Sequence, residues 1–277
     1  MLGRVLAILV AVAGAAQSAA AQDKPPPKTD ETGSNTEAEL AKKLQNPIAS
    51  LITVPIQNNW DFGIGSASAT RYLVNLQPVI PVSLSPDWNV ITRTIMPFSS
   101  MDAAVSGGRG TGGIGDTLQS FFFSPKQPVG GWIMGAGPVI LYPSASDSAL
   151  GAEKWGMGPT GVVLRQEHGW TYGMLANHVE SFASAGHDRR DDVSSTYLQP
   201  FLTYTTATHT SFSLNTESTY DWRHSQWTVP INAMISQLTK IGAQPVQFQF
   251  GGRYYAEGPP GTPDWGLRFT VTFLFPE

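Results

Sequence analysis

The stretch Trp265 to Phe275 (WGLRFTVTFLF) leaves few folds open to this chain. Leu267, Phe269, Val271, Phe273 and Phe275 fall on one face of an extended segment. Arg268, Thr270 and Thr272 fall on the other, with Leu274 the single apolar exception. Alternation this long marks a strand set between two different environments. In a soluble sandwich the polar face looks at water. In a transmembrane barrel the apolar face looks at lipid and the polar face at a lumen.

The rest of the chain decides between these. Beyond the N-terminus no segment has a long uncharged apolar run, so a membrane span must be built of strands. From Leu51 onward the pattern predicts about twelve strands, at 51–61, 70–84, 88–98, 115–124, 132–142, 155–165, 170–182, 195–205, 210–221, 227–238, 244–255 and 265–275. Each is about ten residues, the length that crosses a bilayer at a tilt. Soluble strands are usually shorter. The connections alternate in length. Ser85-Pro86-Asp87, 166–169, 207–209 and 239–243 are short, whereas 99–114, 143–154, 183–194 and 256–264 are longer and polar or Gly-rich. Short turns at one end and long loops at the other is the plan of an outer-membrane barrel. Two connections depart from it: 222–226 is short on the long-loop side, and 125–131 is long on the turn side. The expected fold is all-β, a closed antiparallel up-and-down transmembrane barrel over residues 47–277.

Tryptophan points the same way. Trp60, Trp155, Trp222, Trp227 and Trp265 fall near strand ends on the long-loop side, and Trp88, Trp132 and Trp170 on the short-turn side. Two belts of indoles suit the two membrane–water interfaces, because the ring is apolar and its N–H polar.

Ahead of the strands, residues 1–22 read as a cleaved signal peptide. Arg4 gives the positive start, Val5 to Ala16 the apolar run, and Ser18 to Ala21 the small residues of a cleavage site. Residues 23–46 read as a Pro-rich disordered linker followed by a short amphipathic helix. Asn35 is its expected N-cap, Lys42 and Lys43 lie near its end, and Pro47 stops it. This helix either packs on a barrel mouth or is a solvated leader.

Ionised side chains facing lipid cost about 2–4 kcal/mol near the midplane. Polar and charged strand residues are therefore expected inside. The expected lumen lining is Arg93, Gln119, Asn215, Glu217, Gln249, Arg253 and Arg268, where opposite charges can pair. Against a continuous wall stand Pro55, Pro78, Pro81, Pro138, Pro159, Pro200, Pro230 and Pro245, all in or at the start of expected strands. Proline removes a ladder hydrogen bond, so bulges or interrupted strands are expected there.

Other chemistry is thinly represented. Gly108-Arg109-Gly110-Thr111-Gly112-Gly113 fits a dinucleotide fingerprint only in letters, because a strand-like TLQSFFF follows where a helix is required. It reads as a flexible loop. His178 and Glu180 share a strand face, while Ser181 lies on the opposite one, so no Ser-His-Glu site forms within that segment. No His/Cys spacing suits zinc, and a net charge of −4 leaves no basic surface for nucleic acid. Asp188, Asp191 and Asp192 around Arg189 and Arg190 read as a solvated loop tip. No catalytic residue, metal or cofactor is expected.

Longer blocks carry a resemblance. Residues 44–60 (LQNPIASLITVPIQNNW), 198–201 (LQPF), 215–220 (NTESTY), 253–258 (RYYAEG) and 263–268 (PDWGLR) resemble the family named for the MetA pathway of phenol degradation, often described as transporter-like outer-membrane proteins. The resemblance covers most of residues 44–277. It implies an outer-membrane barrel and uptake of aromatic compounds, and no catalytic residues. The expectation is a barrel in the bacterial outer membrane for passive passage or binding of small aromatic or hydrophobic solutes. Its partners are outer-membrane lipid and the outer-membrane assembly machinery. The alternatives are a structural barrel with a plugged lumen, an outer-membrane lipid hydrolase, and a soluble secreted β-protein.

Overall fold

The computed structural model describes residues 31–185 and 190–276. The residues read as signal peptide and the start of the linker lie outside these, as do His187, Asp188 and Arg189. Helix α1 (Glu31–Leu44) precedes β1 (Ile52–Ile64), β2 (Ala69–Leu76), β3 (Val79–Ser83), β4 (Trp88–Met101), β5 (Thr111–Ile114), β6 (Thr117–Pro125) and β7 (Trp132–Tyr142). A short 3-10 turn (Ser148–Leu150) leads to β8 (Lys154–Glu167), β9 (Trp170–Ser184), β10 (Ser194–Thr205), β11 (Thr210–Thr216), β12 (Ser218–Asp221), β13 (Gln226–Ile241), β14 (Gln244–Glu257) and β15 (Trp265–Phe275).

Three pairs, β2 with β3, β5 with β6 and β11 with β12, are each one wall strand interrupted for a residue or two. The wall therefore has twelve strands, all antiparallel to their neighbours. It closes where β15 pairs with β1, from Ile52 opposite Phe275 to Phe62 opposite Trp265. No helix among the described residues is long and apolar enough to cross a membrane.

Burial along β15 alternates at every residue, with Arg268, Thr270, Thr272 and Leu274 inside. The alternation follows directly from the pleat. Leu274, out of pattern in the sequence, is fully buried in a cluster with Leu40, Ala41, Ala49, Leu51 and Leu238. Its apolar partner is the N-terminal segment, which enters the turn end of the barrel. Helix α1 and residues 45–51 are tied to the wall there. Gln166 Nε2 donates to the Lys42 carbonyl at 2.8 Å. Asn89 Nδ2 donates to Ser50 Oγ at 2.9 Å. Lys240 Nζ lies 2.8 Å from Glu37 Oε1. Deeper in, Ile48 packs with Ile91, Phe122, Val162, Leu164 and Leu175. Gly135 makes room for it: a β-carbon there would lie 3.1 Å from Ile48 Cδ1. The helix thus packs on a barrel mouth. It begins at Glu31, four residues before the expected cap, so Asn35 is interior and 31–34 is helical rather than linker.

The prolines explain the strand breaks. In register, Pro230 on β13 is the partner of Glu217, and it has no N–H to give. β11 and β12 part at Glu217. Likewise Pro55 on β1 stands opposite Gln77, where β2 and β3 part, and the Gln77 amide donates to the Pro55 carbonyl at 2.9 Å. Pro138 and Pro159 face each other across β7 and β8. The G-x-G-x-x-G stretch is not wholly a loop: Thr111–Ile114 pairs with Phe98–Met101 and lengthens a hairpin.

Candidate functional site

Inside the wall lies a cluster of charged and polar groups from six strands and the β11–β12 break. Arg268 Nη1 and Nη2 donate to Glu217 Oε1 and Oε2, each at 2.8 Å, and its Nε donates to Asn59 Oδ1 at 2.9 Å. Arg253 Nη2 reaches the same Glu217 Oε2 at 2.9 Å, and its Nε donates to Asn232 Oδ1 at 2.8 Å. Asn232 in turn donates to Asn215 Oδ1 at 2.8 Å. Arg253 Nη1 lies 3.5 Å from Asp61 Oδ1, to which the Tyr255 hydroxyl donates at 3.1 Å. Arg71 Nη2 completes the chain on Asp61 Oδ2 at 2.9 Å. Three guanidiniums thus share two carboxylates. The side chains of Asp61, Arg268 and Arg253 are almost wholly buried, at 1%, 4% and 8% exposure. Buried charges persist only when paired and hydrogen-bonded in this way.

Two cavities meet at Glu217 of this cluster. The turn-end cavity has residues 43–47 at its floor, and Asn215, Gln249 and Arg268 line its wall. The loop-end cavity, of about 360 Å³, is lined by Ile95, Leu118, Leu141, Val179, Tyr197 and the polar Asn177 and Ser195, among others. Gln57, Gln77, Arg93 and Glu217 line both. These four form the waist of the lumen. Two of them, Gln77 and Glu217, sit at the breaks opposite Pro55 and Pro230. Arg93 Nη2 donates to Gln77 Oε1 at 3.0 Å, and Gln77 Nε2 donates to Gln57 Oε1 at 3.2 Å.

Of the expected lumen residues, Arg93, Asn215, Glu217, Gln249, Arg253 and Arg268 come together here. Gln119 does not. Leu118 and Ser120 face the loop-end cavity, so the pleat turns Gln119 outward, where Tyr142 Oη donates to its Oε1 at 3.0 Å. The lumen wall at β6 carries Leu118 and Phe122, so polarity is a false guide to facing there. Asn59, Asp61, Arg71, Asn232, Tyr255, Gln57 and Gln77 were not expected. Period two would have found part of this set, because Gln57, Asn59 and Asp61 share one face of β1.

The eight Trp lie near strand ends or just beyond them. At the loop end Trp60 stacks on Tyr72 at 5.1 Å between ring centres, and Trp155, Trp222, Trp227 and Trp265 each meet a Tyr or Phe. At the turn end Trp132 meets Tyr172 and Trp170 meets Tyr204, while Trp88 is exposed.

Beside the loop end of β9, residues 190–193 carry charge contacts rather than standing freely solvated. Asp192 Oδ1 lies 3.3 Å from Lys154 Nζ, and that hydrogen bond holds its carboxyl below the usual range. Arg223 bridges Glu180 at 3.0 Å and Asp192 at 3.8 Å. His178 meets the Thr196 hydroxyl at 2.9 Å and Glu180 at 3.6 Å. That hydroxyl also accepts the Trp222 indole N–H at 2.8 Å. Among the described residues no group of three His, Cys, Asp or Glu is placed to hold a metal.

Solved structures share this architecture. An outer membrane channel from Pseudomonas putida F1 superposes with a TM-score of 0.65 at 14% identity, over 82% of this chain and 96% of that one. Outer membrane phospholipase A from Escherichia coli follows at TM-score 0.46 and 10% identity, over 88% and 98%. The β domain of the Bordetella autotransporter BrkA gives 0.46 and 10%, over 82% and 100%. No protein-family model matches the chain, and no curated protein does. At this identity the first likeness is one of fold: the chain has the twelve-stranded barrel fold of an outer-membrane channel.

Proposed function

We propose that this chain sits in the bacterial outer membrane and lets small aromatic or hydrophobic solutes pass, or bind, within its lumen. The observation that carries this is the pair of cavities meeting at Gln57, Gln77, Arg93 and Glu217. A barrel built only as a scaffold needs no such chambers. The loop-end chamber is partly apolar, and the outward faces of β13, β14 and β15 are bulky and apolar, as lipid contact requires. The two Trp belts act as interfacial girdles, residues 1–22 as the export signal, and the assembly machinery of the outer membrane inserts the barrel. The resemblance of residues 44–60, 198–201, 215–220, 253–258 and 263–268 to the family named for the MetA pathway of phenol degradation accords with this role. The test is single-channel recording of detergent-purified protein in a planar bilayer. Discrete conductance steps are expected. A folded, heat-modifiable protein that never conducts would contradict passage.

A plugged barrel is the second reading, and residues 40–51 favour it, since they occupy the turn end. In that case conductance appears only when this segment is loosened. A lipid hydrolase would need the Thr196–His178–Glu180 contact to act as nucleophile, general base and orienting carboxylate. It predicts esterase activity lost in His178→Ala, and the passage account predicts none to lose.

A further inference from the structure

We propose that the waist selects anions, and that the solute is a small carboxylate with an apolar body, received by Arg93. This rests on the passage of solutes through the lumen. The carboxylates of the charged cluster are already taken. Glu217 gives both oxygens to Arg268 and one of them also to Arg253, and Asp61 is shared by Arg71, Arg253 and Tyr255. Arg93 stands apart from them. Among the described residues no carboxylate lies within 4.0 Å of it, and its one side-chain hydrogen bond is to the neutral amide of Gln77.

Its position gives that charge a use. Arg93 lines both cavities, so any solute moving between them passes it. It faces a chamber whose wall includes Ile95, Leu118, Leu141 and Val179. Low-dielectric walls focus the field of a lone cation into the cavity. Rings and clusters of Arg select anions in pores by this effect. A neutral apolar solute filling the chamber would strip water from the guanidinium without replacing its hydrogen bonds, which is costly. A carboxylate replaces them, and a guanidinium can take it through two parallel N–H donors. The apolar wall then accommodates the remainder of the solute. The charge count points the same way: Arg71, Arg93, Arg253 and Arg268 face Asp61 and Glu217, a local excess of positive charge in a chain whose net charge is −4.

The test is the zero-current potential of single channels under a KCl gradient, with benzoate, phenol and benzylammonium as blockers, for the native chain, Arg93→Gln and Arg93→Lys. The native channel is expected to prefer chloride and to be blocked by benzoate well below the concentration at which phenol or benzylammonium acts. Arg93→Gln should lose the preference and weaken benzoate block about tenfold or more, as loss of a charge-assisted hydrogen bond does. Arg93→Lys should keep the preference but bind benzoate less well, having no planar fork. A channel that conducts but prefers potassium, or an Arg93→Gln channel with native selectivity, overturns the anion proposal and leaves passage standing. No conductance in any variant overturns passage and this proposal with it.

Discussion

Arg268 and Glu217 meet side by side, two N–H donors on two carboxylate oxygens at 2.8 Å each, although β13 and β14 lie between their strands in the wall. The contact ties the inner face of β15 to the β11–β12 break. Removing the carboxylate leaves Arg268 and Arg253 close together without their shared partner. Glu217→Gln should therefore destabilise the barrel by about 3–5 kcal/mol, the cost of breaking a buried pair. Urea unfolding from lipid vesicles measures it. A loss below about 1 kcal/mol, the worth of an exposed pair, would show the cluster to be well hydrated.

Leu274 is the place where the N-terminal segment is held. Leu274→Ala should loosen residues 31–51 while the wall stays closed, at a cost of about 2–5 kcal/mol to that docking. Limited proteolysis should then cut within 31–51 faster, and conductance should rise. Unchanged cleavage would mean that the segment is held elsewhere.

Acid should loosen the same segment. The Lys240 hydrogen bond beside Glu37 holds its carboxyl below the ordinary 4.5. A carboxylate whose folded value is lowered stabilises docking above that ordinary value and loses the contribution as pH falls below it. Protease sensitivity of residues 31–51 should rise as pH drops below 4.5 and not between 7 and 5. In Glu37→Gln this acid step should shrink; a full-sized step there would assign the effect to other groups.

The two faces of β14 should respond oppositely to charge. Phe250 points outward with 54% exposure, and Gln249 lines the turn-end cavity. Phe250→Arg should cost about 2–4 kcal/mol of folding into lipid, and Gln249→Arg much less. Urea titrations of the two variants in the same vesicles compare them directly. Equal costs would argue against lipid on the outer face.

The sequence reveals the wall more readily than the lumen. Strands such as β15 and β14 alternate between an apolar outer face and a polar interior, so their facing can be read from residue type. On β6 the inner face carries Leu118 and Phe122 beside Ser120 and Ser124, and Phe122 packs with Ile48 from the N-terminal segment. Polarity therefore puts Gln119 on the wrong side, and no rule of periodicity announces an insert. Leu274 was the visible trace of that insert, an apolar residue on a polar face. The prolines signalled interrupted strands, but not that the breaks at Gln77 and Glu217 fall at the waist. That depends on cross-strand register, which places Pro55 and Pro230 opposite them. Asp61 and Arg71 stayed hidden for the same reason: their pairing is set by the β1–β2 register.

The most direct test of a solute path through the loop-end chamber uses the absence of cysteine from the chain. Ser195 lines that chamber, and Ser195→Cys is a small change in volume. Single-channel current is recorded before and after a charged methanethiosulfonate reagent is added at the loop end. A lasting stepwise drop in the variant, absent in the native chain, is the predicted result. Complete labelling of Cys at position 195 with no change in current would place the ion path outside the chamber and contradict the account.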